Sequence, residues 1–284
     1  MLRQRLLTAG VGIPVGLLLI WLGGWYLAGA VALLAIGGLR ELYRLMKARD
    51  RLAYPWLGYP LAVSLVVVVT TSSPHSLGPL SPKLEPILLA AAMAIGVTWL
   101  LASTRAGTAS PFFTTLVGHM YVPQLLSYVM RLRALGGPPV ELPGSAVAVS
   151  AGFCWLVALM LAVWGMDTAA YAVGKAVGRH KLCPKISPGK TVEGAIGGLL
   201  AAVALIAGLG HWLGLPLAHG LILGAGVGVA GQVGDLFESL LKRRAGVKDS
   251  GSLLPGHGGV LDRFDSLLFA APLAYFYLSF ALGV

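Results

Sequence analysis

Long apolar runs alternate with short polar connections along almost the whole chain. Most runs are 17 to 25 residues long with few or no charges, and their ranges are roughly 6–22, 25–42, 56–72, 86–102, 111–130, 146–174, 192–213, 217–241 and 266–282. This is the length that an α-helix needs to cross the hydrocarbon core of a bilayer. Apolar residues are continuous within the runs rather than alternating, which favours helices over a β-barrel. The pattern predicts an all-α polytopic integral membrane protein with about nine transmembrane helices.

Basic residues are concentrated on one side of the predicted spans. If the N-terminus is cytoplasmic, 18 of the 21 Lys and Arg residues lie on the cytoplasmic side, and the opposite side holds Lys83, Arg131 and Arg133. Cytoplasmic loops of membrane proteins are enriched in Lys and Arg. We therefore expect a cytoplasmic N-terminus and a C-terminus outside. The first two runs are joined only by residues 22–24, so they could instead form a hairpin that does not fully cross.

Polar groups are distributed unevenly between the two halves of the chain. Residues 1–145 predict about five spans with few polar groups inside them. Residues 146–284 predict about four spans, with cytoplasmic loops at 175–191 and 242–265, and contain nearly all of the unusual polar residues. We expect the chemistry in this second, catalytic region. Glycine pairs four residues apart, Gly194/Gly198 and Gly224/Gly228, predict close helix packing within one bundle.

Composition supports a membrane protein and limits its partners. Hydrophobic residues make up 57% of the chain and charged residues 11%, whereas soluble domains average about 25% charged residues. The formal net charge of +10 could suit nucleic acid, but the basic residues lie in short loops between apolar runs. We expect them to attract anionic lipid head groups and expect no nucleic acid partner. The two cysteines, Cys154 and Cys183, lack metal-ligand spacing.

Four acidic residues fall inside or at the ends of the late spans: Asp167, Glu193, Asp235 and Glu238. A carboxylate near lipid is costly, so it normally faces a cavity and has a function. A buried ion pair that only holds helices together is the alternative. Asp167, Tyr171 and Lys175 are spaced i, i+4 and i+8 and therefore share one helix face.

The basic loop after residue 178 contains a candidate phosphate-binding site. We predict that Ser187 caps the following helix, with Pro188 at its first position. Lys190, Thr191 and the free amides of that helix could then hold a phosphate. Gly189-Lys190-Thr191 is not a P-loop, because Pro184 stands where that motif requires a glycine.

The stretch 235–265 is the richest in chemical groups. Asp235, Glu238, Ser239 and Lys242 fall on one helix face. The polar loop that follows combines basic residues, which can bind phosphates, with glycines whose amides can approach a ligand closely. Asp262 and Asp265 can present oxygen ligands from one face, and such ligands beside phosphates favour Mg²⁺. A solvated loop is the alternative, but it does not explain the acids among the bases or His257 between glycines.

The residues of this stretch match a known family. Ser239-x-x-Lys242-Arg243-x4-Lys248-Asp249-x-Gly251-x2-Leu254-Pro255-x-His257-Gly258-Gly259-Val260-x-Asp262-Arg263-Phe264-Asp265 resembles the signature of phosphatidate cytidylyltransferase, also called CDP-diacylglycerol synthase. Ser187-Pro-x-Lys190-Thr191-x-Glu193-Gly194, Gly234-Asp235-x2-Glu238-Ser239 and the Asp167, Tyr171 and Lys175 face are also similar to that family. The signature covers about 27 residues of the C-terminal half.

The resemblance implies an activity and its cofactors. CMP would be transferred from CTP to phosphatidic acid, giving CDP-diacylglycerol and pyrophosphate in phospholipid biosynthesis. It also implies dependence on Mg²⁺, a contribution from a monovalent cation such as K⁺, and a homodimer. It associates metal binding with Asp235 and Asp262.

Residue chemistry and resemblance together give three predicted sets. The catalytic set is Asp235, Asp262, Lys242 and Ser239, and the metal-ligand set is Asp235, Asp262, Asp265 and Glu238. The substrate-binding set is Asp167, Tyr171, Lys175, Ser187, Lys190, Thr191, Glu193, Arg243, Lys248, Asp249, His257, Gly258, Gly259 and Arg263. We expect the active site to face the cytoplasm from a bacterial inner membrane, where a lipid and a nucleotide can both reach it.

Other functions remain open on the residues alone. A transporter for an anionic or lipid substrate would also use intramembrane acids, although no inverted repeat is visible and the polar groups cluster at one face. A CDP-alcohol phosphotransferase would need acids four apart, whereas Asp262 and Asp265 are three apart. A non-catalytic scaffold would not need so many phosphate ligands.

Overall fold

The structure is a computed structural model. It describes residues 2–71, 110–141, 148–251 and 258–283, together with Ile87, Ala91, Ala94, Ile95 and Thr98. The span predicted at 86–102 falls largely outside the described residues, and His257 lies outside them altogether.

The described residues are mostly helical. The helices are α1 (Leu2–Leu22), α2 (Gly24–Lys47), α3 (Pro55–Thr71), α4 (Pro111–His119), α5 (Leu125–Arg133), α6 (Ala151–Val177), α7 (Val192–Trp212), α8 (Leu217–Arg244) and α9 (Leu261–Leu282). A π-helical turn, Met120–Gln124, joins α4 to α5 and contains Pro123. The described residues also form two short antiparallel strand pairs: β1 (Val140–Glu141) with β2 (Ala148–Val149), and β3 (Lys181–Cys183) with β4 (Ser187–Thr191).

Within the described residues, five helices are long and apolar enough to cross a membrane: α2, α6, α7, α8 and α9. The apolar helices α1 and α3 and the α4–α5 segment coincide with three further predicted runs. The all-α membrane class is therefore confirmed. The count of nine spans and the sides on which the termini lie stay predictions.

The chain forms two compact units. The first comprises Met1–Met130 and Leu241–Arg263, and the second comprises Arg131–Leu240 and Phe264–Val284. The sequence-based division at residue 145 concerned chemistry rather than compactness, and it stays a prediction.

In the first unit, α2 provides much of the core. Leu39 and Leu42 are fully buried on this helix, and the acidic residue Glu41, on a different side of it, is only 3% exposed. A hydrogen bond of 2.8 Å from the Tyr54 amide to Thr115 Oγ1 ties the start of α3 to α4. A buried acid needs hydrogen-bond donors, and these donors lie in the candidate site.

In the second unit, glycines bring α6 and α7 into close contact. A Cβ on Gly194 would lie 2.6 Å from the Ala170 carbonyl oxygen, and one on Gly198 would lie 2.9 Å from that of Met166. Gly224 of α8 likewise packs on Val203 of α7. The predicted close packing within one bundle is confirmed. This packing fixes the strand pair that connects α6 to α7.

One local prediction is wrong. Ser187 and Pro188 do not begin a helix, because Ser187–Thr191 forms strand β4 and pairs with β3. Helix α7 begins at Val192, and its cap is Thr191, whose Oγ1 accepts a hydrogen bond of 3.1 Å from the Gly194 amide. Antiparallel pairing keeps residues 187–191 extended, so only the last of them, Thr191, can take the cap position.

Candidate active site

Several of the predicted site residues lie in two clusters, one in each unit. We name them the Asp235 cluster, in the second unit, and the Asp262 cluster, in the first unit.

The Asp235 cluster is built on α6, α8 and the end of β4. Lys190 of β4 extends its ammonium group to 2.6 Å from Asp235 Oδ2 on α8. The other carboxylate oxygen of Asp235 accepts a longer hydrogen bond, 3.4 Å, from Ser239 one helical turn later. The side chains of Asp235 and Lys190 remain 31% and 26% exposed. This ion pair is thus reachable from outside and is held by few protein groups.

A small cavity opens beside this ion pair. Its volume is about 50 Å³, and it is lined by Asp167, Ala170, Leu182, Lys190, Thr191, Gly194, Ala195, Gln232, Asp235 and Leu236. A void of this volume admits a few water-sized groups (~10–15 Å³ each). Four of the predicted residues, Asp167, Lys190, Thr191 and Asp235, therefore share one cavity.

Gln232 is a lining residue that the sequence reasoning missed. Its Nε2 donates a hydrogen bond of 3.0 Å to the Ala195 carbonyl oxygen. Its position one turn before Asp235 on α8 is the signal that could have revealed it.

Glu193 holds the strand pair in place. Its carboxylate accepts hydrogen bonds from the Arg179 and His180 amides, at 3.1 and 3.2 Å, and lies 2.6 Å from His180 Nδ1. These contacts fix the turn between α6 and β3, which positions Lys190. Substrate binding by Glu193 and by Ser187 stays a prediction.

Tyr171 and Lys175 lie on the surface of α6. Tyr171 is 70% exposed, and Lys175 Nζ lies 5.8 Å from the centre of its ring. This is a cation–π distance, and an exposed pair of this kind is open to an anionic ligand.

The Asp262 cluster surrounds the first turn of α9 and is much more enclosed. Lys242 Nζ lies 2.6 Å from Asp262 Oδ1, and the two side chains are 13% and 7% exposed. Asp262 Oδ2 accepts hydrogen bonds from the Ser250 amide, the Ser250 hydroxyl and the Gly259 amide, at 3.0, 2.9 and 2.8 Å. Four donor groups therefore fix this carboxylate.

Glu41 belongs to the same cluster, and the sequence reasoning missed it. Its Oε1 accepts from the Val260 amide, and its Oε2 accepts from the Leu261 amide and the Ser250 hydroxyl, each at 2.9 Å. The residue lies more than 200 positions away from these donors. An acid beside Arg40 at the end of an apolar run gives no local sign of such a contact.

The remaining residues of the signature are placed as follows. Arg243, Lys248, Asp249 and Arg263 are exposed, and Gly258 has a positive φ of 84° that favours glycine. Glu238 is fully buried, and Asp265 Oδ1 accepts a hydrogen bond of 2.6 Å from the Ser266 amide. Asp235 lies in the second unit and Asp262 in the first, and their sharing of one ion stays a prediction.

Comparison with known proteins decides the family. The sequence pattern of the cytidylyltransferase family matches residues 3–281. The chain is 36% identical to a phosphatidate cytidylyltransferase of Synechocystis sp., with 99% of this chain and 98% of the relative covered. It is 35% identical to one of Bacillus subtilis (98% of both) and 31% identical to one of Staphylococcus aureus (96% and 97%).

The chain belongs to the cytidylyltransferase family.

Family membership confirms the predicted resemblance, and it covers almost the whole chain rather than the signature alone. It supports an enzyme over the transporter that the residues alone left open. The N-terminal helices, including α2 with Glu41, fall inside the matched range.

A further electrostatic feature of this protein lies in the first unit. Arg51, in the connection after α2, is only 3% exposed. Burial lowers the pKa of its guanidinium, and the neighbouring charges of Arg49 and Arg244 lower it further. An arginine stays charged at neutral pH even so. The charges of Arg49 and Arg244 therefore lie close to a buried guanidinium.

Asp235 and Asp262 have the oxygen chemistry that a divalent cation such as Mg²⁺ prefers. Among the residues that the structure describes, no group of three or more His, Cys, Asp or Glu side chains is arranged to hold a metal. Mg²⁺ does not need such a group, because it is usually held by one or two carboxylates together with substrate phosphates and water. Asp235 and Asp262 supply hard oxygen ligands, and each already attracts a cation, the ammonium group of a lysine, at 2.6 Å.

Proposed function

We propose that this protein is a phosphatidate cytidylyltransferase, which transfers CMP from CTP to phosphatidic acid and releases pyrophosphate. The observation that carries the proposal is the match of residues 3–281 to the cytidylyltransferase family, together with three relatives of that name aligned over at least 96% of this chain. The two lysine–aspartate clusters supply groups suited to this chemistry.

The reaction needs little covalent chemistry from the protein. A phosphate oxygen of phosphatidic acid attacks the α-phosphorus of CTP, and the bond to the β-phosphate breaks. A phosphate monoester is already a nucleophile at neutral pH, so the protein has to align the two phosphates and neutralise charge. Pyrophosphate leaves with the electron pair of the broken bond.

The lysines of both clusters suit the charge neutralisation. Lys190 and Lys242 each carry an ammonium group held by an aspartate rather than by solvent alone. Such a pair keeps the cation oriented before substrate arrives, and an incoming phosphate can then share it. Exposed Arg243, Lys248 and Arg263 add positive charge for the triphosphate.

Asp235 and Asp262 are the residues that would hold Mg²⁺, with Asp265 and Glu238 nearby in sequence. A bound Mg²⁺ would neutralise charge on the triphosphate and on the departing pyrophosphate. We further propose a contribution from a monovalent cation such as K⁺.

We extend the proposal to the location of the protein and to its assembly. One substrate is a lipid that reaches the protein within the bilayer, and the other is a nucleotide from the cytosol. We propose a multi-pass protein of the inner membrane with its active site facing the cytoplasm. We also propose that it works as a homodimer.

The test uses the purified chain in detergent with labelled CTP, phosphatidic acid and Mg²⁺. We expect labelled CDP-diacylglycerol and pyrophosphate in equal amounts, no product without phosphatidic acid, and loss of activity in EDTA that added Mg²⁺ reverses. Lack of both products over a wide range of Mg²⁺ and K⁺ concentrations would rule out the activity.

A further inference from the structure

Glu41 connects helix α2 to the signature of the family. Its carboxylate is 3% exposed and accepts three hydrogen bonds, all from residues within the stretch that the signature spans: the Ser250 hydroxyl and the Val260 and Leu261 amides. Val260 and Leu261 stand at the N-terminus of α9, where backbone amides lack partners within the helix. Glu41 therefore caps α9 with a side chain from another helix.

A carboxylate suits this cap in both its charge and its two acceptor oxygens. The N-terminus of a helix carries a partial positive charge, so an acid there is stabilised. Both oxygens of Glu41 are used, and each accepts from a different backbone amide. An apolar residue at this position would leave two amides without partners, which is costly in a buried place.

Two signature glycines make room for Glu41. A Cβ on Gly251 would collide with the Glu41 carboxylate, and a Cβ on Gly259 would collide with both that carboxylate and Ser250 Oγ. These glycines thus permit the carboxylate to approach the backbone closely. The requirement for glycine at both positions is accounted for by an acid on a distant helix.

Ser250 connects Glu41 to Asp262. Its hydroxyl oxygen lies 2.9 Å from Glu41 Oε2 and 2.9 Å from Asp262 Oδ2. A hydroxyl has one proton and donates to one of the two carboxylates at a time, while the Ser250 amide holds Asp262 continuously at 3.0 Å. Displacement of Glu41 would therefore shift the donors that fix Asp262, and with it Lys242.

We propose that Glu41 is a positioning residue for cytidylyl transfer: through Ser250 and the first amides of α9, it sets the geometry of Asp262 and Lys242. The proposal rests on the proposed function, because it assigns Asp262 and Lys242 to that reaction. Glu41 acts through these groups and does not touch substrate.

The main test is Glu41→Gln, with Glu141→Gln as the matched control. A glutamine side chain has one acceptor oxygen, so either orientation turns its NH₂ group toward the Val260 or the Leu261 amide. Glu141 is exposed on β1, so the control makes the same chemical change away from the cluster. We expect Glu41→Gln to lower kcat about 10- to 100-fold, as removal of an orienting partner does, with KM for CTP changed less than about threefold. The control should behave as wild type.

Hydrogen exchange provides a readout that is independent of activity. In Glu41→Gln, peptides covering 258–263 should exchange faster, whereas peptides from α6 and α7 should exchange at the wild-type rate. Slower turnover together with faster exchange throughout the protein would indicate a general loss of stability and would overturn the proposal. Unchanged kcat or unchanged exchange at 258–263 would also overturn it.

Ser250→Ala tests the same chain of contacts more gently. This variant removes one of the three donors to Glu41 and keeps both amides, so it serves if Glu41→Gln cannot be extracted folded. We expect a three- to tenfold lower kcat. A wild-type kcat in Ser250→Ala would overturn the proposal.

The double variant with Glu41→Gln and Ser250→Ala tests whether the two residues act together. It should be no more than about threefold slower than Glu41→Gln alone, because the effects of coupled residues are not additive. Fully multiplicative losses of kcat would overturn the proposal. If the wild-type chain makes no CDP-diacylglycerol, the proposed function fails, and the exchange result still reports whether Glu41 orders the start of α9.

Discussion

Asp262 and Asp235, one in each cluster, have opposite surroundings. Asp262 is 7% exposed and is held by four donor groups, three of them from backbone or hydroxyl groups of neighbouring loop residues. Asp235 is 31% exposed and contacts the Lys190 ammonium and, more loosely, the Ser239 hydroxyl. The protein thus fixes one carboxylate in advance and leaves the other accessible beside a cavity.

This difference in hydrogen bonding predicts a difference in how each carboxylate contributes to stability. A carboxylate with several donors keeps its position whether or not a ligand is present, and its removal also disturbs the fold. A carboxylate with one flexible lysine partner can be lost with little effect on stability. Activity and stability should therefore separate at Asp235 and coincide at Asp262.

The largest effect is expected for Asp262→Asn. Asparagine has one acceptor oxygen for the four donors, so at least one buried group loses its partner, at about 1–3 kcal/mol. We expect activity to fall at least about 10²-fold and the melting temperature to fall by about 3–10 °C. Activity assays and thermal unfolding in the same detergent measure both, and a variant with wild-type melting would contradict the fixed geometry.

Asp235→Asn should match that loss of activity without the loss of stability. The side chain is part-exposed and its main partner is a lysine, so the melting temperature should stay within about 2 °C of wild type. Turnover should fall at least about 10²-fold if Asp235 holds the metal. Near-wild-type turnover would refute the metal assignment. A large drop in melting temperature would mean that Asp235 stabilises the fold as Asp262 does, which would contradict the predicted difference between them.

Lys190→Ala should have a smaller effect, which falls mainly on nucleotide binding. The substitution removes the cation beside the cavity and leaves Asp235 exposed to water, so KM for CTP should rise about tenfold with little change in melting temperature. Lys181→Ala, an exposed lysine on the neighbouring strand β3, is the matched control. Equal effects of both substitutions would mean that only general surface charge is involved.

The smallest effect is expected for Thr191→Val, which keeps the shape of the side chain but removes the cap of α7. Loss of an N-cap costs about 1 kcal/mol, which corresponds to roughly 2–4 °C in melting temperature. Thr168→Val, on the exposed face of α6, removes a side-chain hydrogen bond to the Trp164 carbonyl that caps nothing. Its melting temperature should stay near wild type, and a drop equal to that of Thr191→Val would argue against the cap.

Local patterns were sufficient for the helices and for which residues of one helix lie side by side. The apolar runs predicted the described helices because a bilayer requires about 20 apolar residues and internal backbone hydrogen bonds. Glycines four apart predicted close packing, which α6 and α7 confirm. The fixed spacing within α8 placed Asp235 and Ser239 on one face, and they are in contact.

Pairing between distant segments required the structure. Ser187 has the residue type and spacing of a cap, but pairing of β4 with β3 keeps it extended and gives the cap to Thr191. The predicted last run begins at 266, whereas α9 begins at Leu261. The Val260 and Leu261 amides at this helix start donate hydrogen bonds to Glu41.

The sequence by itself determined that the protein is a helical membrane protein of the cytidylyltransferase family, because span length, hydrophobicity and the signature are properties of consecutive residues. Only the tertiary structure decided which groups surround each aspartate. Hydrogen bonds reach about 3 Å, and the donors that meet within that distance of Glu41 and Asp262 come from segments that the chain separates by up to 220 positions.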